Sequence, residues 1–123
     1  MPAEAIATLL DSKNKAIGTI KFFQKQYKLT MYIDATSEDL KDTVSLVFYK
    51  YGDSFNYGNT ISTDDIVLNP ENNKLDSMVA IDVRQTNVSI YSSHYKNSIL
   101  GRGVGLVTDN GIVGFGSVCL LKE

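Results

Sequence analysis

The fold is decided by the stretch Tyr27-Lys28-Leu29-Thr30-Met31-Tyr32-Ile33-Asp34. Its apolar side chains stand at positions 27, 29, 31 and 33, and more polar ones stand between them. Because successive side chains of a β-strand point to opposite faces, this two-residue period predicts a strand with one buried face and one solvent-facing side. We therefore expect a half-buried strand over residues 27–34.

Seven further segments show similar alternation, and turn-forming clusters such as Asp11-Ser12-Lys13-Asn14 and Asn69-Pro70-Glu71-Asn72-Asn73 separate them. These segments are Ala3 to Leu10, Ala16 to Gln24, Thr43 to Tyr51, Met78 to Val83, Asn87 to Tyr91, Gly103 to Thr108 and Ile112 to Leu121. Ser37 to Asp42 is predicted to be a loop. Many short strands at near-regular spacing favour an antiparallel sandwich or barrel, so the chain is predicted to be all-β with eight strands.

Composition limits what the chain can be and bind. At 123 residues, 43% of them hydrophobic, it has the size of one compact domain, which we expect to span residues 1–123. Its net charge of −2 and scattered basic residues argue against a nucleic-acid partner. The apolar stretches are strand-sized and the N-terminus does not resemble a signal peptide, so we expect a soluble protein of the cytosol without a membrane segment.

Cys119 is the only cysteine, so the chain cannot form an intramolecular disulfide. It lies in the apolar run Val118-Cys119-Leu120-Leu121, without a histidine nearby, and we expect it to pack rather than react. Glycines are frequent between Gly101 and Gly116. Their spacing does not match phosphate-binding loops, and glycines inside strands mark bulges or close backbone approach.

Short motifs along the chain resemble those of Cu,Zn superoxide dismutases, in the family's order. Ser45-Leu46-Val47-Phe48-Tyr49-Lys50-Tyr51-Gly52-Asp53 is similar to the copper-binding strand, Gly-Phe-His-Val-His-Glu-Phe-Gly-Asp. Ile99-Leu100-Gly101-Arg102 resembles the family's Ile-Ile-Gly-Arg, and Val113 to Val118 stands where the family has Leu-Ala-Cys-Gly-Val-Ile. The start of the chain reads like the family's first hairpin. The chain is closer still in style to the divergent dismutase-like proteins of poxviruses, and the resemblance implies a Greek-key β-barrel.

The resemblance also implies that the metal ligands are lost. The family's copper ligands fall at Val47, Tyr49 and Val107, none of which offers an imidazole. The single histidine, His94, matches no ligand position, and Asp64 and Asp65 are interpreted as solvated acids of the former zinc loop. We expect no catalytic residue, no metal and no cofactor.

Other parts of the enzyme are replaced as well. The family's disulfide position falls at Phe115, and the arginine that guides superoxide falls near Ile112. The long substrate-guiding loop is replaced by a short hairpin, in which Asn110-Gly111 is predicted to form a type I′ turn with positive φ at both residues. The chain is therefore not expected to be an enzyme.

Five aromatic residues cluster in sequence around the lost copper site: Phe48, Tyr49, Tyr51, Phe55 and Tyr57. Buried aromatic rings could replace the stabilisation that metal and disulfide give to the enzymes. The alternative is an exposed aromatic patch for a ligand or partner. The sequence leaves this choice open.

With catalysis lost, the segments that resemble the family's dimer contact become the candidate functional surface. They comprise Tyr51, Gly52, Asp53, Leu100, Gly101, Arg102, Val118 and Leu120. The resemblance implies a homodimer, or a decoy for host Cu,Zn superoxide dismutase or its copper chaperone, in the host cytoplasm or the virion. The alternatives are that these residues simply close the barrel, or that the protein is a structural or packaging component of the virion.

Overall fold

The computed structural model describes residues 2–61, 66–86, 88–91 and 98–122. Within them nine strands and one short helix follow one another along the chain. They are β1 (Ala3–Leu10), β2 (Ala16–Lys25), β3 (Lys28–Thr36), β4 (Val44–Tyr49), β5 (Ile66–Leu68), β6 (Lys74–Asp82), α1 (Val83–Thr86), β7 (Gly103–Thr108), β8 (Gly111–Ser117) and β9 (Cys119–Lys122). Among the described residues, no helix is long and apolar enough to cross a membrane.

Eight of the strands lie side by side in the order β5-β4-β7-β8-β1-β2-β3-β6, and β9 pairs with β1. All of these strand pairings are antiparallel, and the sheet forms a nearly closed barrel. After β5 and β6, the chain returns by a long connection to place β7 beside β4, as in a Greek key. The predicted all-β, eight-stranded antiparallel Greek-key barrel is thereby confirmed.

The predicted alternation of the decisive stretch holds for most of its length. Leu29, Met31 and Ile33 on β3 are fully buried in the hydrophobic core. Tyr27 is an exception, because Lys25 pairs directly with Lys28 and leaves Gln26 and Tyr27 as the two-residue turn between β2 and β3. Gln26 has a φ of 55°, and the exposed Tyr27 ring lies under the Arg84 guanidinium at 4.5 Å from the ring centroid.

The middle of the chain differs from the predicted strand boundaries. β6 begins at Lys74, four residues before the predicted start, because Asn72 and Asn73 take positive φ and form a tight turn directly before it. At its other end, Val83 belongs to α1 rather than to the strand. The three-residue strand β5 was not predicted, since so short a segment shows no periodicity.

The predicted strand at Asn87 to Tyr91 is not formed. Asn87 lies outside the described residues, and the segment 88–91 carries only an isolated bridge from Ser89 to Ser98. The buried side chain of Gln24 holds this segment instead. Its Oε1 accepts a hydrogen bond from the backbone N–H of Ile90 at 2.8 Å, and its Nε2 donates to Ser89 Oγ at 3.1 Å.

The predicted C-terminal strand, Ile112 to Leu121, is divided into β8 and β9 at Val118. The backbone of Val118 pairs with the turn at residues 101–102, donating to the carbonyl of Arg102 at 3.0 Å and accepting from Gly101 at 2.8 Å. Beyond this point β9 pairs with β1, and all four of its residues are exposed. Cys119 is among them, so the expectation that its thiol is packed was wrong.

A short hairpin joins β7 to β8, as predicted, but its turn type is different. Thr108 pairs with Gly111, so the turn residues are Asp109 and Asn110, and neither has a positive φ. Gly111 alone has a positive φ, 117°. This is the pattern of a type I turn followed by a glycine bulge rather than a type I′ turn centred on Asn110-Gly111.

Candidate functional site

The three positions expected to have lost copper ligands lie on one face of the barrel wall. On β4, Leu46 and Phe48 point into the core, so Val47 and Tyr49 point outward. Val107 of β7 pairs with Ser45, two residues before Val47 on the same face. The structure therefore brings Val47, Tyr49 and Val107 onto a shared outer surface, where none of them supplies an imidazole.

Three aromatic rings pack together on this surface, and we call Tyr49, Tyr57 and Phe115 the aromatic cluster. The ring centroids of Tyr49 and Tyr57 lie 4.7 Å apart in an edge-on arrangement, and each ring lies 5.8 Å from that of Phe115. Such spacings are favourable for aromatic pairs. Phe115 is the residue at the expected disulfide position. Its ring packs against Tyr57 and so connects β8 to the loop that carries Tyr57.

The five aromatic residues singled out in the sequence divide into three groups. Phe48 belongs to the core and packs against Phe22, with centroids 6.3 Å apart. Tyr49 and Tyr57 belong to the aromatic cluster. Tyr51 and Phe55 are exposed, and 93% of Phe55 is accessible to solvent. Tyr49 and Tyr57 thus pack on the outer surface, while Tyr51 and Phe55 are exposed; that the exposed pair binds a ligand or partner stays a prediction.

Two glycines of β7 make room for the aromatic cluster. A Cβ atom on Gly103 would lie 2.4 Å from Cζ of Phe115 and 2.4 Å from the carbonyl oxygen of Tyr51. On Gly105 it would lie 3.2 Å from Cε2 of Tyr49. The rings therefore lie against bare backbone, which is a close approach of the kind that glycine inside a strand permits.

The hydroxyl of Tyr49 is the titratable group most affected by this packing. Burial raises the pKa of the Tyr49 phenol above its ordinary value of 10.0, and the neighbouring Tyr57 raises it further. The cause is that the charged phenolate loses its hydration in the cluster. Tyr49 is therefore a neutral packing residue at physiological pH.

In the part of the chain that the structure describes, potential metal ligands do not form a cluster. It contains no group of three or more histidine, cysteine, aspartate or glutamate side chains placed to hold a metal ion. His94, Asp64 and Asp65 lie outside the described residues. Ile112, expected to replace the guiding arginine, lies beside Gly105, with its Cγ2 3.7 Å from the position of an added Cβ.

The segments predicted to form an interface are brought together, although they are far apart in sequence. A Cβ atom on Gly52 would lie 2.7 Å from both the carbonyl oxygen of Gly101 and Cβ of Ser117, so the three segments meet there. Arg102 connects them further, since its Nε donates to the carbonyl of Ser98 at 2.8 Å and its Nη1 to that of Lys50 at 3.4 Å.

The predicted interface residues differ in exposure. Tyr51, Asp53, Gly101 and Leu120 are exposed, and Gly52, Leu100 and Arg102 are partly buried. Val118 is only 1% exposed and belongs to the hydrophobic core, so its side chain closes the barrel and is not available to a partner.

A groove of about 310 Å³ adjoins this surface and was not predicted. It runs between β1, the loop at residues 52–54 and the end of β8, and is lined in part by Ile6, Leu10, Phe115 and Cys119. A signal for it exists in the sequence. On β1 the alanines and Leu9 face the core, so Ile6 and Leu10 are apolar at solvent-facing positions, against the alternation.

Comparison with known proteins adds no family to this description. No protein-family model matches the chain, and no curated protein matches its sequence.

Proposed function

We propose that this chain is a metal-free, catalytically inactive homologue of Cu,Zn superoxide dismutase, of the kind encoded by poxviruses, and that it acts through protein–protein association. The all-β Greek-key barrel is compatible with the resemblance in sequence. The observation that carries the proposal is the aromatic cluster: Tyr49 and Phe115, at the expected copper-ligand and disulfide positions, pack together with Tyr57. Aromatic side chains thus occupy the positions that the resemblance assigns to a copper ligand and a disulfide.

Association is favoured by the surface next to the aromatic cluster. Segments 51–53 and 100–102 meet around Gly52, and two of the predicted interface residues, Tyr51 and Leu120, are about half exposed. Apolar and aromatic side chains at such sites provide most of the affinity in protein interfaces. The proposed partners are a second copy of this chain, host Cu,Zn superoxide dismutase, or the copper chaperone of that enzyme, met in the host cytoplasm or packaged in the virion.

Metal loading tests the inactive part of the proposal. The purified protein is saturated with copper and zinc, passed through a desalting column and analysed for both elements. We expect far less than one metal ion per chain and no dismutase activity. One tightly held copper ion per chain together with activity would contradict the proposal.

Capture from host cytosol tests the association, with two glycine variants as a matched pair. Gly101 and Gly111 both have positive φ, and an added Cβ would meet no atom within 4 Å at either position. Gly101→Arg places a long cation on the predicted interface, whereas Gly111→Arg places it on the β7–β8 hairpin. Gly111, with a φ of 117°, lies further from the left-handed helical region than Gly101, with a φ of 75°, so the control variant carries at least the backbone strain of the test variant.

We expect the wild type and Gly111→Arg to capture host dismutase or its chaperone, or to self-associate, and Gly101→Arg to do neither. Equal behaviour of the two arginine variants would count against this surface. A protein that is monomeric, captures neither host protein and is abundant in virions would favour the packaging role instead.

A further inference from the structure

Three of the predicted interface residues lie in a turn, residues 99–102, which we call the interface turn. Its hydrogen bonds lead from the surface into the barrel. The N–H of Arg102 donates to the carbonyl of Ile99 at 3.0 Å, and the N–H of Ile99 donates to the carbonyl of Ser89 at 2.8 Å. Ile99 and Ser89 are both fully buried. The position of the interface turn therefore depends on where the backbone of Ser89 lies.

Arg102 extends this dependence to a second interface segment. Its guanidinium donates to the carbonyls of Ser98 and Lys50, and Lys50 directly precedes Tyr51 in the chain. Ser98 is connected to Ser89 by a β-bridge. Two of the segments that form the predicted interface are thus connected through Arg102 to the same buried residue, Ser89.

Gln24 of β2 holds the backbone at Ser89 and Ile90 with its side chain. Oε1 accepts from the Ile90 N–H, and Nε2 donates both to Ser89 Oγ and to the carbonyl of Gln26, the latter at 3.0 Å. The backbone carbonyl of Gln24 also accepts from the Tyr91 hydroxyl at 3.3 Å. Gln24 and Ser89 are 1% and 0% exposed, so water has no access to these bonds while the segment stays docked.

Buried hydrogen bonds of this kind fix a conformation because leaving them unmade is unfavourable. A buried donor without an acceptor loses its hydration and gains no bond in return. Without the acceptor on Gln24, the N–H of Ile90 would find a partner only if its segment moved outward into water. That movement would displace the interface turn as well, since Ser89 bonds Ile99 directly.

We propose that Gln24 is a positioning residue of the association surface. It fixes the interface turn in the conformation that a partner binds, although Gln24 itself is buried and contacts no partner. A binding surface needs such support, because the residues that contact a partner must themselves be held in place by the residues behind them. This inference rests on the proposed function, association through the surface around Gly52, and adds to that surface a determinant inside the barrel.

Cleavage by an arginine-specific protease measures the position of the interface turn without any partner. Arg84 and Arg102 are the only arginines of the chain, so the mass of each fragment identifies the site of cleavage. Cleavage after Arg102 requires the interface turn to leave the barrel, and its rate follows the population of this open form. Gln24→Met removes the donor and the acceptor but keeps a long side chain in their place. Ser89→Ala is a second, milder variant.

We expect cleavage after Arg102 to become on the order of a hundredfold faster in Gln24→Met, taking about tenfold for each of the lost bonds to Ile90 and Ser89. Ser89→Ala should accelerate it about tenfold. Ile20→Ala is the matched control, because Ile20 is also buried on β2 but has no hydrogen-bonding side chain. It should leave this rate close to that of the wild type, although it lowers the free energy of unfolding in urea.

Capture from host cytosol connects the interface turn to association. Gln24→Met should lose capture of the host proteins, or self-association, as Gly101→Arg does, whereas Ile20→Ala should retain them. A merely structural role of Gln24 would make both variants less stable but would not separate them in these two measurements.

Two outcomes would overturn the inference. Cleavage after Arg102 that is no faster in Gln24→Met than in Ile20→Ala would show that Gln24 does not hold the interface turn. Faster cleavage with unchanged capture would show that the conformation of the turn does not matter to the partner. Failure of the proposed function is distinguishable, because the wild type itself would then neither capture a host protein nor self-associate, whatever the cleavage rates.

Discussion

The two halves of the barrel are built in different ways. In the half formed by β1, β2, β3 and β6, long ladders pair strands of eight to ten residues, and apolar and polar positions alternate along them. In the half formed by β4, β7 and β8, strands of six or seven residues contain several glycines, and the outer face carries the aromatic cluster. The first half is stabilised by one buried face, whereas the second has packed side chains on both faces.

The difference locates the part of the barrel in which more than a two-residue alternation constrains the sequence. A sheet with one face in water needs only alternation, and substitutions on the wet face have little effect. Where rings lie against bare backbone on the outer face, both sides of the sheet constrain the sequence. The outer face of the second half is also where the resemblance places the lost copper ligands, so the extra packing coincides with the positions that the resemblance assigns to them.

Among the substitutions that test this difference between the two halves, Gly103→Ala is expected to have the largest effect on stability. The added Cβ would lie 2.4 Å from a backbone oxygen, that of Tyr51, which a side-chain movement cannot relieve. We expect a loss of about 3 kcal/mol in the free energy of unfolding, as for overpacked sites, measured by urea denaturation.

Gly105→Ala is the matched control, because its nearest contact is a ring edge at 3.2 Å that can shift. We expect a change of less than about 1 kcal/mol, since reduced freedom of the unfolded chain partly offsets the crowding. Equal effects of the two substitutions would show that the second half does not pack as tightly as described.

A smaller effect is expected when an imidazole is placed at position 49, which the resemblance assigns to a copper ligand. Tyr49→His replaces a buried phenol ring of the aromatic cluster with a smaller and more polar imidazole, and we expect a loss of about 2 kcal/mol in the free energy of unfolding, measured by thermal or urea unfolding. Tyr32→His is the same change on the outer face of the first half, where Tyr32 is exposed and donates a hydrogen bond to Asp76. It should cost less than about 1 kcal/mol.

Phe55→Ala completes the comparison of packed and exposed rings, since Phe55 belongs to the same sequence cluster of aromatic residues as Tyr49. Because Phe55 is exposed, the free energy of unfolding of the monomer should change by less than about 0.5 kcal/mol. A large loss would place Phe55 within the packing of the second half and contradict the distinction between filled and open rings.

The smallest expected effect is a change in alkaline stability. The pKa of Tyr49 is raised in the folded protein, so folding favours the neutral phenol. As the pH rises past 10.0, the unfolded chain ionises at this residue before the folded one, and stability falls until the raised pKa is reached. Below pH 10.0 this contribution is constant.

Tyr49→Phe removes the ionisable group, so the variant should lose less stability than the wild type between pH 8 and pH 11, measured by urea unfolding at each pH. Tyr51→Phe removes an exposed hydroxyl and should follow the wild type. Identical pH profiles for the wild type and Tyr49→Phe would mean that Tyr49 is not buried as described.

The sequence predicted strands in both halves of the barrel, including β4 and β7, but not the segments whose structure depends on distant contacts. Alternation correctly identified β1, β2 and β3, because one buried face produces a two-residue period. It failed for Asn87 to Tyr91, where residues 88–91 are held by the side chain of Gln24, 66 positions before Ile90. It also failed for β9, whose apolar residues are exposed although they read as core.

The candidate site was predicted in its segments but not in its geometry. Three short motifs identified Tyr51 to Asp53, Leu100 to Arg102 and the C-terminal strand, and the structure brings these together around Gly52. The packing of distant strands determines that Val118 is buried, that Phe55 is exposed and that β1 forms one wall of the groove. No local pattern determines these contacts.

The hydrogen bonds of Gln24 have a consequence for how the barrel assembles. One of them supplies the backbone N–H of Ile90 with the acceptor that a neighbouring strand would normally offer, and the other bonds the Ser89 hydroxyl. We expect the segment to dock after β2 and β3 have formed their hairpin, because that hairpin positions the Gln24 amide. Hydrogen-exchange protection of the Ile90 amide should therefore report on the completed hairpin rather than on any strand of its own.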